Sequence, residues 1–287
     1  MGSLYIVGTP IGNLEDVSPH ALQVLRDVSV IASENPQRTR RLLARYDIHT
    51  PMLRYTDAYD RRKQSRMQAV LAALDQGDVA LVSEAGMPGL ADPGFELLRV
   101  ALEQGVTVVP VPGPTALATA LAAAGLRAEP FVFLGFLPRT AGARRELLAG
   151  WAGSPFALVA YEAPHRLVDT LADLAELVGD RQMAAAGELT KLFEEIRRGT
   201  PSELLAAYRE RPPRGEYTLV VEGPSRLDTN PLDGCGRSPT EPLAAEPLEP
   251  CCGRSPTEPL WASHLGFSLD TDPLDGEGTS RDTKDLR

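Results

Sequence analysis

Apolar positions in the first half of the chain come in short unbroken runs that stop at glycine and proline. Residues 79–82 read Val-Ala-Leu-Val and break into Ser83-Glu84-Ala85-Gly86-Met87-Pro88-Gly89. Residues 4–7 run in the same way into Gly8-Thr9-Pro10-Ile11-Gly12, and residues 106–111 into Pro112-Gly113-Pro114-Thr115. A short apolar run without alternation fits a strand buried on both faces, as in a parallel sheet. Loops at the carboxyl ends of such strands are where open α/β sheets hold ligands. One such loop is an ordinary strand-to-helix connection. Three of the same design, if their strands are neighbours, predict the walls of a single cleft.

Between these runs the spacing turns helical. The pattern predicts helices over 18–28, 39–46, 60–76, 94–104 and 115–124, with a further strand over 28–32. Ser18 suits an N-cap and Pro19 the first helical position, while Gly105 and Gly125 suit C-terminal caps. Strand and helix alternate as in a doubly wound α/β domain. From Phe131 a second module begins. It has an aromatic-rich strand over 131–137, strands over 156–161, 182–186 and 217–221, and helices over 167–178 and 202–208. Beyond Gly223 the pattern collapses: CGRSPTEPL occurs at 235–243 and again at 252–260, and proline, glycine and acidic residues dominate. So little apolar surface cannot offset the entropy of ordering, so the tail is expected to be disordered. The expected division is an N-terminal α/β domain over 1–114, a C-terminal α/β domain over 115–224 and a low-complexity tail over 225–287.

Charge sharpens this division. The net charge is −10, and residues 224–287 hold 12 acidic against 6 basic side chains, which leaves the body close to neutral. That balance argues against a protein coated in nucleic acid but leaves room for a local basic patch. Arg38, Arg40, Arg41 and Arg45 cluster on the helix predicted over 39–46 and the residue before it, beside the expected cleft. As single residues they suit a solvated face, and as a cluster they suit phosphate. All three cysteines lie in the tail without a CxxC pair, so no metal site is expected. No apolar run reaches the roughly 18–20 residues of a membrane span, and the N-terminus enters a strand pattern at once. A cytoplasmic protein without membrane contact is expected. Neither GxGxxG after the first strand, nor GxxxxGK[ST], nor GxSxG is present.

Seven segments then occur in order: LYIVGTPIGNLED, LVSEAGMPGLADPG, VVPVPGPTALATALAAAGL, FLGFLPR, YEAPHRL, ELTKLFEE and GEYTLVVEG. Together they resemble the RsmI-type ribosomal RNA methyltransferases of the tetrapyrrole methylase superfamily, over residues 4–223. The resemblance implies a two-domain class III methyltransferase fold that binds S-adenosylmethionine between its domains, within a homodimer. It implies methylation of a cytidine 2′-hydroxyl in small-subunit (16S) ribosomal RNA. It assigns Pro10, Gly12, Ser83, Glu84, Ala85, Gly86, Pro88, Gly113, Pro114 and Thr115 to the cofactor from the first domain. Tyr161, Glu162, Leu189 and Thr190 would close on it from the second. For Glu162 and Glu188 the plainer alternative is a loop carboxylate capping nearby amides. A ribose hydroxyl is a weak nucleophile and gains from a base or a nearby positive charge. Lys191, Glu188 and Glu34 are the candidates, in that order. Arg38, Arg40, Arg139, Arg144 and Arg145 would hold the RNA backbone.

Three segments depart from the family pattern. Its EDTR is here Glu34-Asn35-Pro36-Gln37, its SDAGTP is Ser83-Glu84-Ala85-Gly86-Met87-Pro88, and its ARELTK is Ala186-Gly187-Glu188-Leu189-Thr190-Lys191. Two other readings stay open: a small-molecule methyltransferase of the same superfamily with a tetrapyrrole-like substrate, and, on these departures, a catalytically silent protein that keeps the fold and the cofactor.

Overall fold

A computed structural model describes residues 1–56 and 63–223, with only the backbone for Lys63. The tail, with its repeats, its cysteines and its expected disorder, lies outside the described residues, as do Arg61 and Arg62. The described residues all belong to one compact unit. Within it the described residues build two five-stranded sheets.

The first sheet holds β1 (Leu4–Val7), β2 (Val30–Ser33), β3 (Met52–Arg54), β4 (Val79–Val82) and β5 (Val108–Val111), in the order β3-β2-β4-β1-β5. Every pairing is parallel, with Tyr5 opposite Ala80 on one side and Val109 on the other. The central strands β1, β2 and β4 are buried on both faces, which is why their sequence shows runs and no alternation. Leu4, Ile6, Val79 and Leu81 enter one core, with side chains of α3 (Lys63–Leu74) and α4 (Phe95–Glu103). Val7, Ile31, Ala80 and Val82 enter the other, with α1 (Pro19–Asp27) and α2 (Pro36–Arg45). Ser18 caps α1 through the Ala21 amide. Helix α2 starts earlier than its apolar spacing suggests, because Asn35 caps the Gln37 and Arg38 amides and Pro36 occupies the first position.

The second sheet is mixed. It consists of β6 (Phe131–Phe136), β7 (Ala157–Glu162), β8 (Met183–Gly187), β9 (Glu195–Gly199) and β10 (Tyr217–Val221), in the order β6-β7-β10-β8-β9. β6 runs parallel to β7, β10 antiparallel to β7 and β8, and β9 antiparallel to β8. One face packs on α6 (Ala141–Ala152), α7 (Pro164–Leu177) and α8 (Pro201–Glu210); the other is covered by α5 (Ala116–Ala124). The alanines of α5 let its backbone lie close on Ala184, Ala186 and Val220. The edge strands β3 and β9 escape the apolar pattern, because one is three residues long and the other reads Glu-Ile-Arg-Arg-Gly. Among the described residues no helix is long and apolar enough to cross a membrane.

Candidate active site

The loops after β1 and β4 are fastened together. Thr9 and Gly86 exchange two backbone hydrogen bonds, Thr9 N to Gly86 O at 2.9 Å and Gly86 N to Thr9 O at 3.0 Å. Gly8 meets Gly113 so closely that a Cβ on Gly113 would lie 2.7 Å from the Gly8 backbone, so both positions need glycine for contact. The loop after β8 then closes on the first loop. The Thr190 hydroxyl accepts from the Asn13 amide at 3.0 Å, and a Cβ on Gly12 would fall 2.6 Å from that oxygen. Glu188 and Thr190 carry left-handed backbone, with φ of 49° and 62°. For a β-branched threonine that conformation is strained, and such strain gathers at functional sites. It is locked by Glu188 N to Glu216 O at 3.1 Å and Thr190 N to the Glu194 carboxylate at 2.6 Å.

Between these loops lies a cleft of about 240 Å³. Glu34, Arg38, Glu84, Ala85 and Gly86 line it from the first sheet, and Thr115 from the start of α5. Tyr161, Glu188, Leu189 and Lys191 face it from the second sheet. These ten residues, named from sequence, come together. Lys191 lies 2.7 Å from Glu188, and Arg38 lies 2.7 Å from Glu84, so both cations in the lining are paired. Glu34 accepts from the Glu84 amide at 2.9 Å.

Other assignments end up behind the wall. Pro10, Gly12, Ser83, Pro88, Gly113, Pro114 and Thr190 do not line the cleft; they shape or fasten the loops that do. Glu162 is a correction. Its carboxylate is fully buried beneath the sheet and takes hydrogen bonds from the Ala163 amide at 2.7 Å and the Thr170 hydroxyl at 2.6 Å, with Arg166 at 2.5 Å. It ties the end of β7 to Ala163, which precedes α7, and to side chains of that helix's first two turns, a structural role close to the amide-capping alternative. Arg144 is a second correction. It is 4% exposed on the apolar stripe of α6 beside Leu148, and grips Asp173 of α7 at 2.7 Å, out of reach of RNA. Arg145 is engaged by Asp173 and Glu176. Arg40 and Arg139 are exposed and make no ion pair with another described residue.

The main residue that the sequence reading missed is Asp92. Its segment LADPG has the composition of a plain turn, and Gly89, Ala91 and Gly94 all have positive φ there, at 81°, 61° and 144°. The curl, closed by Gly89 N to Pro93 O at 3.2 Å, carries Asp92 back into the cleft. Burial pushes its carboxyl up to about 7; Glu34, Glu216 and Glu84 add to the rise, and a hydrogen bond from Ser83 opposes it. Glu216, Tyr217 and Thr218 at the start of β10 and Phe136 of β6 also line the cleft and were not assigned from sequence. In all, five carboxylates (Glu34, Glu84, Asp92, Glu188 and Glu216) face two cations, among apolar groups from Ile11, Ala85, Ala116 and Leu189. That donor set suits a ligand with a cationic centre and an apolar body. No metal-binding group of three or more His, Cys, Asp or Glu side chains occurs among the described residues.

The family model for tetrapyrrole (corrin/porphyrin) methylases matches residues 3–205. The chain belongs to that family. Among curated relatives, ribosomal RNA small subunit methyltransferase I of Halalkalibacterium halodurans is 43% identical over 223 residues, 77% of this chain and 76% of the relative. The protein of the same name from Thermotoga maritima is 43% identical over 78% of this chain and 99% of its own length, so the matched part makes up nearly all of that relative. That from Micromonospora olivasterospora is 46% identical over 77% of this chain and 71% of its own. Solved structures share the fold at lower identity. A cobalt precorrin-4 methyltransferase of cobalamin biosynthesis aligns with TM-score 0.60 and 19% identity over 77% of this chain and 94% of its own. Uroporphyrin III C-methyltransferase from Thermus thermophilus aligns with TM-score 0.55 and 20% identity over 77% and 97%.

Proposed function

We propose that this protein transfers a methyl group from S-adenosylmethionine to the 2′-hydroxyl of a cytidine in small-subunit ribosomal RNA. The observation that carries this is the 43% identity, running through both sheets, with proteins named ribosomal RNA small subunit methyltransferase I. Structures named for uroporphyrin and precorrin methyltransferases share only about half that identity. When bound, S-adenosylmethionine supplies a methyl group on a sulfonium, activated for transfer to oxygen. The surplus of carboxylates in the cleft suits that positive centre, and the apolar groups beside them suit its nucleoside.

Asp92 is the group we assign to accept the hydroxyl proton. Lys191 and Glu188, the first candidates from sequence, neutralise one another at 2.7 Å, and Glu34 is engaged by the Glu84 amide. Asp92 combines a place in the cleft with an affinity for protons suited to neutral pH. We place the division between the two halves after Pro114, since α5 packs on the second sheet. Leu192 and Phe193, 89% and 79% exposed beside the cleft loop, offer apolar surface for pairing of two copies, in line with a cytoplasmic homodimer.

The deciding experiment incubates the protein with methyl-labelled S-adenosylmethionine and small ribosomal subunits that lack the modification, and maps ribose methylation. Label at one cytidine 2′-oxygen is expected. Cofactor binding without transfer to RNA would point to a silent protein, and transfer to a tetrapyrrole to the small-molecule reading. For RNA contacts, Arg40→Glu and Arg139→Glu are each expected to weaken subunit binding and to lower the slope of log affinity against log salt by about 1. A slope equal to wild type in both variants would remove these arginines from the interface.

A further inference from the structure

Strand β6 contains an irregularity that decides where one aromatic ring points. Phe133 pairs with Val159 and Phe136 with Tyr161, so three residues of β6 span two of β7. The extra residue is a bulge at Leu134-Gly135, where Gly135 takes φ of 64°. Side chains on a strand alternate between faces, so inserting one residue moves everything after it to the opposite face. Val132 and Leu134 pack into the core beneath the sheet with α6, α7 and α8. In regular register Phe136 would join them. The bulge sends it to the other face, with Phe133, and returns Leu137 to the core in its place.

Phe136 thereby lines the cleft, 48% exposed, with its ring 5.3 Å from that of Tyr161 at 61°. Tyr161 is held in turn by Phe133 at 5.0 Å and by the Leu117 amide, which donates to its hydroxyl at 3.2 Å. The bulge also faces the loop that carries Asp92, since a Cβ on Gly135 would lie 4.0 Å from that of Ala91. An aromatic ring fixed on one side and bare on the other, at the mouth of a cleft, is how proteins receive unpaired bases. Arg139, exposed three residues on, is within about 11 Å along the chain.

We propose that Phe136 is a stacking platform for a nucleobase turned out of the RNA, placing that nucleotide's ribose toward Asp92. The platform rests on the RNA reading above and gives the FLGFLPR segment a job that the cofactor cleft does not. It tolerates any base, because every base presents a π face; it positions the nucleotide and leaves its identity to other contacts.

The test uses the whole protein with two single-stranded probes, hexacytidylate and a hexamer of abasic ribose phosphates, followed by fluorescence anisotropy at low salt. Wild type is expected to bind hexacytidylate more tightly than the abasic probe. Phe136→Ala should lose roughly 5- to 100-fold on hexacytidylate and nothing on the abasic probe, and Phe136→Trp should keep the preference. The melting temperature of each variant separates loss of stacking from loss of fold. Equal affinity of wild type for both probes, or an unchanged base preference in Phe136→Ala, overturns the platform. So does a Phe136→Ala variant whose only change is a smaller oligomer, which would make the ring a subunit contact. Label transfer to ribosomal subunits by wild type, measured alongside, separates failure of the platform from failure of the RNA reading.

Discussion

Replacing Asp92 with asparagine is expected to lower the maximal rate of methyl transfer by roughly 10²- to 10⁴-fold, the range typical of a lost general base. Binding of S-adenosylmethionine should change far less, because four other carboxylates still face the cleft. The pH profile is the sharper readout. Asp92 must be ionised to take a proton, so wild-type kcat/KM should fall as pH drops through about 7, the value for the free protein. In kcat that limb should move to lower pH, since a bound sulfonium favours the carboxylate. The residual activity of Asp92→Asn should lack the limb altogether. Stability runs the other way. A carboxyl whose folded value is raised from 3.8 to about 7 contributes stability below the lower value and loses it as pH rises through the upper one. Asp92→Asn has no such loss, so above pH 7 it should melt no lower than wild type. A variant that melts well below wild type there, or that keeps the acid limb, would take the proton-acceptor role away from Asp92.

The walls of the cleft were legible in the sequence for a physical reason. A parallel strand announces itself by an unbroken apolar run, and a ligand loop by glycine and proline at its end; both hold at Val79–Val82 and the loop after it. What was illegible depended on the sense in which a residue faces. Gly12 and Thr190 have the composition of ligand loops, yet their contact is with each other. Asp92 stands in a segment whose composition says turn, and only the three left-handed residues around it bring it inward. Phe136 belongs to FVFLGFL, where every position but glycine is apolar and the period of two leaves no trace. Gly135 was the one sign of the slip. The order of β6-β7-β10-β8-β9, with three antiparallel pairings, was hidden because β9 is an edge strand with a single aliphatic side chain.

Arg144 shows the same ambiguity at full cost, and changing it should produce the largest loss of stability. Arginines at 139, 144 and 145 look like one basic patch in sequence, but a helix turns 144 inward. It shares the buried face of α6 with Leu148, and Asp173 shares that of α7 with Thr170 and Leu174. Arg144 Nε and a terminal nitrogen both lie 2.7 Å from one Asp173 oxygen, while Arg145 holds the other at 2.8 Å. Removing one partner of a buried pair strands the other without water, which costs about 3–5 kcal/mol. Arg144→Ala should therefore lower the melting temperature by on the order of 10 °C for a body of this size. Such a pair is less a source of stability than a condition of it: a well-packed apolar replacement of both members can be neutral or better. Arg144→Met with Asp173→Leu should recover most of the loss, though Arg145 keeps only Glu176 there. Subunit binding by the folded protein at low temperature should match wild type in every case. Intact melting with weakened, less salt-sensitive binding would instead return Arg144 to the RNA surface. The contrast with Arg139→Glu, where melting should hold and the salt slope fall, distinguishes an arginine that holds helices from one that holds phosphate.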